Sequence, residues 1–168
     1  MNINFEQYKA LGIDGRLISL EYDKEITPYF CYPINAEAIG FEGCIMYCFI
    51  EGYGEMVFAS NPESCADAYV YPLARNFKEF LGLILACGSA NPIEQIVWMS
   101  KEQFEQHMKE EQAIRTKEQN MVLQQLKDKM NIVPIDNPFE YVKEIQQSFD
   151  SGKIEYSDEY YDVLGIEH

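Results

Sequence analysis

Residues 68–88 read AYVYPLARNFKEFLGLILACG, and the fold turns on this stretch. Ala68 to Tyr71 has the aromatic and β-branched content of a short strand, and Pro72, which has no N–H to give a ladder, is expected to end it. Asn76-Phe-Lys-Glu79 then takes the Asn-x-x-Glu form of a helix start, in which side chains satisfy backbone N–H groups left open by the first turn. Phe77, Phe80, Leu81, Ile84, Leu85 and Cys87 recur at helical spacing, Leu83 and Ala86 widen the apolar arc, and Gly88 suits a left-handed stop. A helix this apolar is covered on most sides. It carries no acid, base or nucleophile at a useful spacing, so it is scaffold.

Upstream, Gly43 to Ile50 is apolar on both faces of a strand, with Cys44, Met46, Cys48 and Ile50 on one side and Ile45, Tyr47 and Phe49 on the other. That pattern marks a central strand. Glu51-Gly-Tyr-Gly54 supplies a turn, and Glu55 to Ala59 returns as the partner of an antiparallel hairpin. Further back, Gly12-Ile-Asp-Gly15 marks a turn, Arg16 to Tyr22 alternates as a strand does, and Asp23-Lys-Glu25 makes a polar connection. Thr27 to Pro33, aromatic and proline-bracketed, reads as an edge strand or extended loop.

Downstream, Asn91-Pro92 opens a short helix through Trp98, and Ser100-Lys-Glu-Gln103 matches the capping box of a long helix running to about Met130. That segment holds six acidic and six basic residues, so the excess negative charge lies elsewhere. Asn137-Pro138 caps a last helix, Phe139 to Phe149, and the tail from Asp150 to His168 carries six acidic residues and one lysine. The whole predicts an α+β fold: a central, mainly antiparallel sheet with surrounding helices and a helical C-terminal extension. Residues 1–168 form a single domain, with a core over about 1–99 and the extension over about 100–168.

The formal net charge of −15, from 28 Asp and Glu against 13 Lys and Arg, is the strongest compositional signal. Such a field repels phosphate backbones and anionic lipid headgroups, so neither direct nucleic-acid binding nor membrane binding is expected. A basic protein is attracted instead, over a Debye length of about 8 Å at physiological salt. No stretch of about 18 apolar residues spans a bilayer and no basic start precedes an apolar run, so a cytoplasmic chain is expected. The odd count of five cysteines, mostly in apolar runs, fits reduced core thiols.

Nothing argues for catalysis. The only histidines are His107, in a polar helix without cysteine, and the terminal His168. Cys44 and Cys48 sit in an apolar run without a second ligand pair, and phosphate-loop, zincin and nucleophile-elbow motifs are absent. No catalytic, cofactor-binding or metal-ligating residue is therefore assigned. Carboxylates interleaved with tyrosines are more informative, because tyrosine offers rigid contact area and acids around it meet a partner's Lys or Arg. Two such stretches are the candidate partner-binding residues: Glu51, Tyr53 and Glu55 in the hairpin turn, and Glu155, Tyr156, Asp158, Glu159, Tyr160, Tyr161 and Asp162 in the tail.

Met56-Val-Phe-Ala59, then Tyr69-Val-Tyr-Pro-Leu-Ala74 and Asn76-Phe-Lys-Glu-Phe-Leu81, resembles the SUKH superfamily, which includes the yeast cell-wall-assembly and killer-toxin-resistance regulator. The likeness covers roughly residues 43 to 88; of the family's N-terminal signature only Leu11-Gly12 is comparable, and the charged helix after Ser100 has no counterpart. The resemblance implies a non-catalytic α+β binding module and, as in many bacterial members, an immunity protein that neutralises a polymorphic toxin. The partner would be a toxin domain with a basic surface. An alternative is a regulatory adaptor recruiting its partner through the Ser100–Met130 helix, and a third is a small enzyme with an unrecognised carboxylate site.

Overall fold

A computed structural model of the chain describes residues 2–22, 25 and 27–167. Asp23 and Lys24 of the polar connection, and His168, lie outside the described residues. The sheet has four antiparallel strands in the order β1 (Ala36–Glu42), β2 (Ile45–Ile50), β3 (Val57–Ser60) and β4 (Val70–Ala74). Seven α-helices surround it among the described residues: α1 (Ile3–Ala10), α2 (Phe77–Cys87), α3 (Ala90–Gln95), α4 (Lys101–Ala113), α5 (Lys117–Met130), α6 (Pro138–Gln147) and α7 (Asp158–Leu164). The α+β class and the helical C-terminal region agree with the sequence reading.

β2 is central and buried on both faces, as its two apolar rows require. Tyr47 and Phe49 face a core completed by Phe5 of α1, Phe77, Phe80 and Leu81 of α2, and Leu126 of α5. Met46, Cys48 and Ile50 face a second core with Phe58, Val70, Cys31 and Ile154. In the first core the Phe77 ring meets Phe5 at 5.3 Å and Phe49 at 6.1 Å, in edge-on contacts that aromatic quadrupoles favour. α2 has the expected ends, with the Asn76 side chain accepting from Glu79 N at 2.8 Å and Gly88 left-handed at φ 92°. Gly82 permits a close approach on this helix: a Cβ there would stand 2.7 Å from the Val133 carbonyl oxygen, and the Gly82 carbonyl accepts from Ile135 N at 3.2 Å.

Several expectations are corrected. Arg16 to Tyr22 is not a strand: the Asp14 side chain accepts from Arg16 N, Gly15–Ile18 winds as a 3₁₀ turn, and Ser19 at φ 57° breaks any extension. Only Glu21 pairs with the sheet, bridging to Phe41. β1 carries Ala, Glu and Gly, poor strand formers, and is stabilised by context. Its Gly40 makes room for Leu20, whose Cδ1 would stand 2.4 Å from an added Cβ. β2 starts at Ile45 because Gly43, at φ 57°, turns the chain from β1.

Pro72 does not end β4 but lies within it. β4 is an edge strand, so the missing N–H costs no ladder bond, and the Pro72 carbonyl accepts from Gln146 Nε2 on α6 at 3.1 Å. The short helix is capped at Ser89 rather than Asn91 and starts at Ala90, leaving the Asn91 side chain for Glu42. The Ser100 capping box forms as read, but the long helix is broken: it ends at Ala113, and Thr116 caps a new helix by accepting from Gln119 N at 3.1 Å. Thr116-Lys-Glu-Gln119 repeats the pattern of Ser100-Lys-Glu-Gln103. The last long helix stops at Gln147, so Phe149 lies beyond it and docks on the second core.

Phe104, Val122, Leu123, Leu126 and Val142 belong to the same core as the sheet, so the helices after residue 100 are built into the fold. The turns α4 presents after Phe104 are mostly exposed. Among the described residues no single helix is long and apolar enough to cross a bilayer; α2 and Ala90–Trp98 have that composition together but meet at 101°.

Candidate interaction surface

The hairpin turn between β2 and β3 is one of the two acidic, tyrosine-bearing stretches, and the tail is the other. The fold ties the first to the start of the second. The Tyr53 hydroxyl donates to the Asp150 carbonyl at 2.7 Å and accepts from Lys153 N at 2.9 Å. Its ring packs 5.2 Å from Phe58 and 5.4 Å from Phe149. Lys153 Nζ reaches the Gly52 carbonyl at 3.2 Å.

Asn35 is the joint. Its side-chain amide donates to the Glu51 carbonyl at 3.2 Å and the Lys153 carbonyl at 3.0 Å, and its Oδ1 accepts from Glu155 N at 3.1 Å. Ile34 N adds a bond to the Glu155 carbonyl at 2.8 Å. One side chain therefore fixes the hairpin turn and the tail to each other by their backbones, which leaves the Glu51 and Glu155 carboxylates directed to solvent.

Beside this joint runs a groove of about 540 Å³, lined in part by Asn2, Ile34, Asn35, Glu37, Glu51 and Glu55. Among the described residues three carboxylates and no Lys or Arg line it. Asn2 Nδ2 donates to Glu55 Oε1 at 3.2 Å, and none of the three carboxylates makes an ion pair among the described residues. Ile34, 65% exposed, adds an apolar wall. A cationic side chain entering this groove meets carboxylates that no ion pair holds among the described residues, next to a hydrophobic surface.

The remaining tail residues stand apart from the groove. Tyr156 and Tyr160 stack in parallel with centroids 3.6 Å apart, Tyr161 meets Tyr160 edge-on at 5.2 Å, and Tyr160 stacks on Phe30, which in turn meets Tyr69. All three tail tyrosines are half-buried, whereas Glu155, Asp158, Glu159 and Asp162 are exposed. Burial, followed by the charge of Tyr160, pushes the Tyr156 hydroxyl well above the ordinary phenol range. The tyrosines of both stretches thus serve chiefly to dock their segments, and the carboxylates form the outward surface.

A second polar cluster is internal. Glu94, 3% exposed, accepts from Asn61 Nδ2 at 2.9 Å and from the Tyr71 hydroxyl. Glu42 accepts from Asn91 Nδ2 at 2.9 Å and, more weakly, from the Tyr47 hydroxyl at 3.4 Å. Burial raises the Glu42 carboxyl above the usual range, the donors Asn91 and Ser19 oppose it, and the neighbouring Glu94 adds to the rise. Asn91 Oδ1 in turn accepts from Gln95 and contacts His107 Nε2 at 3.3 Å, so His107 joins a packing network. Neither Glu42 nor Glu94 lines the groove beside Asn35. No group of three or more His, Cys, Asp or Glu is arranged to hold a metal among the described residues, and the five cysteines are unpaired.

Sequence reasoning missed Asn35, Glu37, Asn2 and Lys153. Glu37 carried a local signal, a lone acid in an otherwise apolar run; the Asn35 contacts, 118 and 120 residues away, left none. Comparison with family models, curated proteins and solved structures finds no match in any of the three.

Proposed function

We propose that this chain is a non-catalytic protein-binding module of the immunity type, which holds a basic toxin domain against its acidic groove and blocks that domain's active site. The observation that carries this reading is the Asn35 joint, which ties Glu51 and Glu155 by their backbones beside a groove lined by Glu37, Glu51 and Glu55 and, among the described residues, by no Lys or Arg. The resemblance of residues 43–88 to the SUKH superfamily supports it, and so does the net charge of −15. The reading belongs in the cytoplasm, in keeping with five unpaired thiols. Opposed charge lifts association rates by about 10- to 1,000-fold at low ionic strength, so the groove acts mainly on the on-rate.

A secreted toxin encoded beside this chain's gene is the partner to test. Titrating its catalytic domain with the full chain should abolish toxin activity at a one-to-one ratio. Undiminished activity at a tenfold excess would count against the immunity reading. The adaptor reading draws on Ile114, 73% exposed at the break between α4 and α5, and Met121, 62% exposed on the second turn of α5. Removing residues 100–130 would not test it, because Val122, Leu123 and Leu126 are core; Ile114→Ser with Met121→Ser does, and loss of a partner from that variant alone would favour the adaptor.

A further inference from the structure

The chain has one tryptophan, and it is not in the core. Trp98 ends the 3₁₀ turn after α3, is 40% exposed, and its indole N–H has no hydrogen-bond partner among the described residues. It borders a shallow groove of about 470 Å³ between that turn and α4, floored by Met99 and edged by Glu102, His107 and Glu110. Among the described residues no Lys or Arg lines it. Two nearby lysines are engaged elsewhere: Lys101 Nζ pairs with Glu140 at 2.6 Å, and Lys143 Nζ donates to the Val97 carbonyl at 3.3 Å. Glu110 is steadied by Gln106 Nε2 at 3.2 Å, and neither Glu102 nor Glu110 forms an ion pair among the described residues.

An indole face beside two unpaired carboxylates selects strongly among side chains. An aliphatic or neutral aromatic group would cover Trp98 and Met99 but leave the carboxylates partly desolvated without a partner. A lysine would satisfy the charge as a compact, strongly hydrated point and gain less from the ring. A guanidinium does both, since its flat face stacks on indole while its N–H fork bonds carboxylate oxygens at the edge. We infer that the Trp98 groove is an arginine-binding site, occupied by an arginine side chain of a protein partner lying between Glu102 and Glu110. The site is independent of the groove at Glu51 and does not require the immunity reading.

The sole tryptophan makes the site its own reporter. The full chain is titrated at low salt with three blocked nonapeptides that differ only in carrying three arginines, three lysines or three leucines among glycines and serines. The arginine peptide should change Trp98 fluorescence saturably, the lysine peptide should bind about threefold or more weakly, and the leucine peptide weaker still. Glu102→Gln with Glu110→Gln should weaken the arginine peptide about tenfold, and Trp98→Leu, read by anisotropy of a labelled peptide, by a similar factor. Glu37→Gln, Glu51→Gln and Glu55→Gln together should leave the fluorescence titration unchanged. Equal binding of the lysine peptide, tighter binding of the leucine peptide, indifference to Glu102 and Glu110, or no saturable signal with any peptide would each overturn the assignment. Circular dichroism of each variant checks that the fold is intact.

Discussion

The two faces of the sheet are closed by different means. One face lies under regular helices, whose Phe5, Phe77, Phe80, Leu81 and Leu126 fill a core of fully or nearly fully buried side chains. The other is closed by irregular chain: Cys31 and Tyr32 from the 27–33 loop, Ile154 from the tail, and half-buried Phe30, Phe149, Tyr156 and Tyr160 around them. The first cover is held by apolar area. The second relies more on hydrogen bonds and ring contacts at its margin, among them Asn35, Tyr53 and the Tyr156–Tyr160 stack. Asn35 ties the Glu51 and Glu155 backbones to this second cover, so the proposed partner surface borders the cover that relies more on hydrogen bonds.

The contrast can be broken by mutation. Phe80→Ala on the helical side removes a fully buried ring and should cost about 3–5 kcal/mol in urea unfolding, enough to unfold a marginal domain. Phe149→Ala on the other side should cost only about 1–2 kcal/mol, because the ring is half-buried. A larger loss at Phe149 than at Phe80 would reverse the comparison. Asn35→Ala leaves three backbone bonds unmade at a partly exposed site and should cost about 1–2 kcal/mol. Amide exchange would sharpen that result: protection should fall at Gly152 to Tyr156 and around Glu51 while α2 stays protected, and uniform loss would contradict a local joint.

The smallest effect is one of pH. The Glu42 carboxyl is raised on folding, first by burial, so the folded chain favours its protonated form. The stability this contributes is fully present below the unfolded carboxyl value of about 4.3 and is lost as pH rises through the higher folded value. Glu42→Gln removes that dependence. Its urea midpoint should therefore gain on the wild type between pH 5 and pH 7.5, and a parallel or diverging loss would show that Glu42 is not held this way.

What the sequence disclosed follows the same division. α2 was readable because Asn76, Glu79 and Gly88 act on their own helix ends and the apolar residues repeat with its period. β2 was readable from two apolar rows, and α4 from Ser100 and Gln103. The break before α5 was written locally too, in Thr116 and Gln119, but the helix-forming residues on both sides masked it. β1 was not legible, since Ala, Glu and Gly adopt a strand there only because β2 and Leu20 demand it. The two acidic stretches were visible as composition. Their union through Asn35 was not, because no local pattern encodes a contact spanning more than a hundred residues.

The most direct measurement is the salt dependence of the association rate with the proposed toxin partner, taken for three proteins. Wild type and the tail variant Asp158→Asn, Glu159→Gln, Asp162→Asn should keep most of a steep fall with added salt. The groove variant Glu37→Gln, Glu51→Gln, Glu55→Gln should start about tenfold slower and fall less. A groove variant that tracks wild type, or a tail variant that alone loses the slope, would contradict the central claim that the partner docks on the Asn35-braced acidic groove.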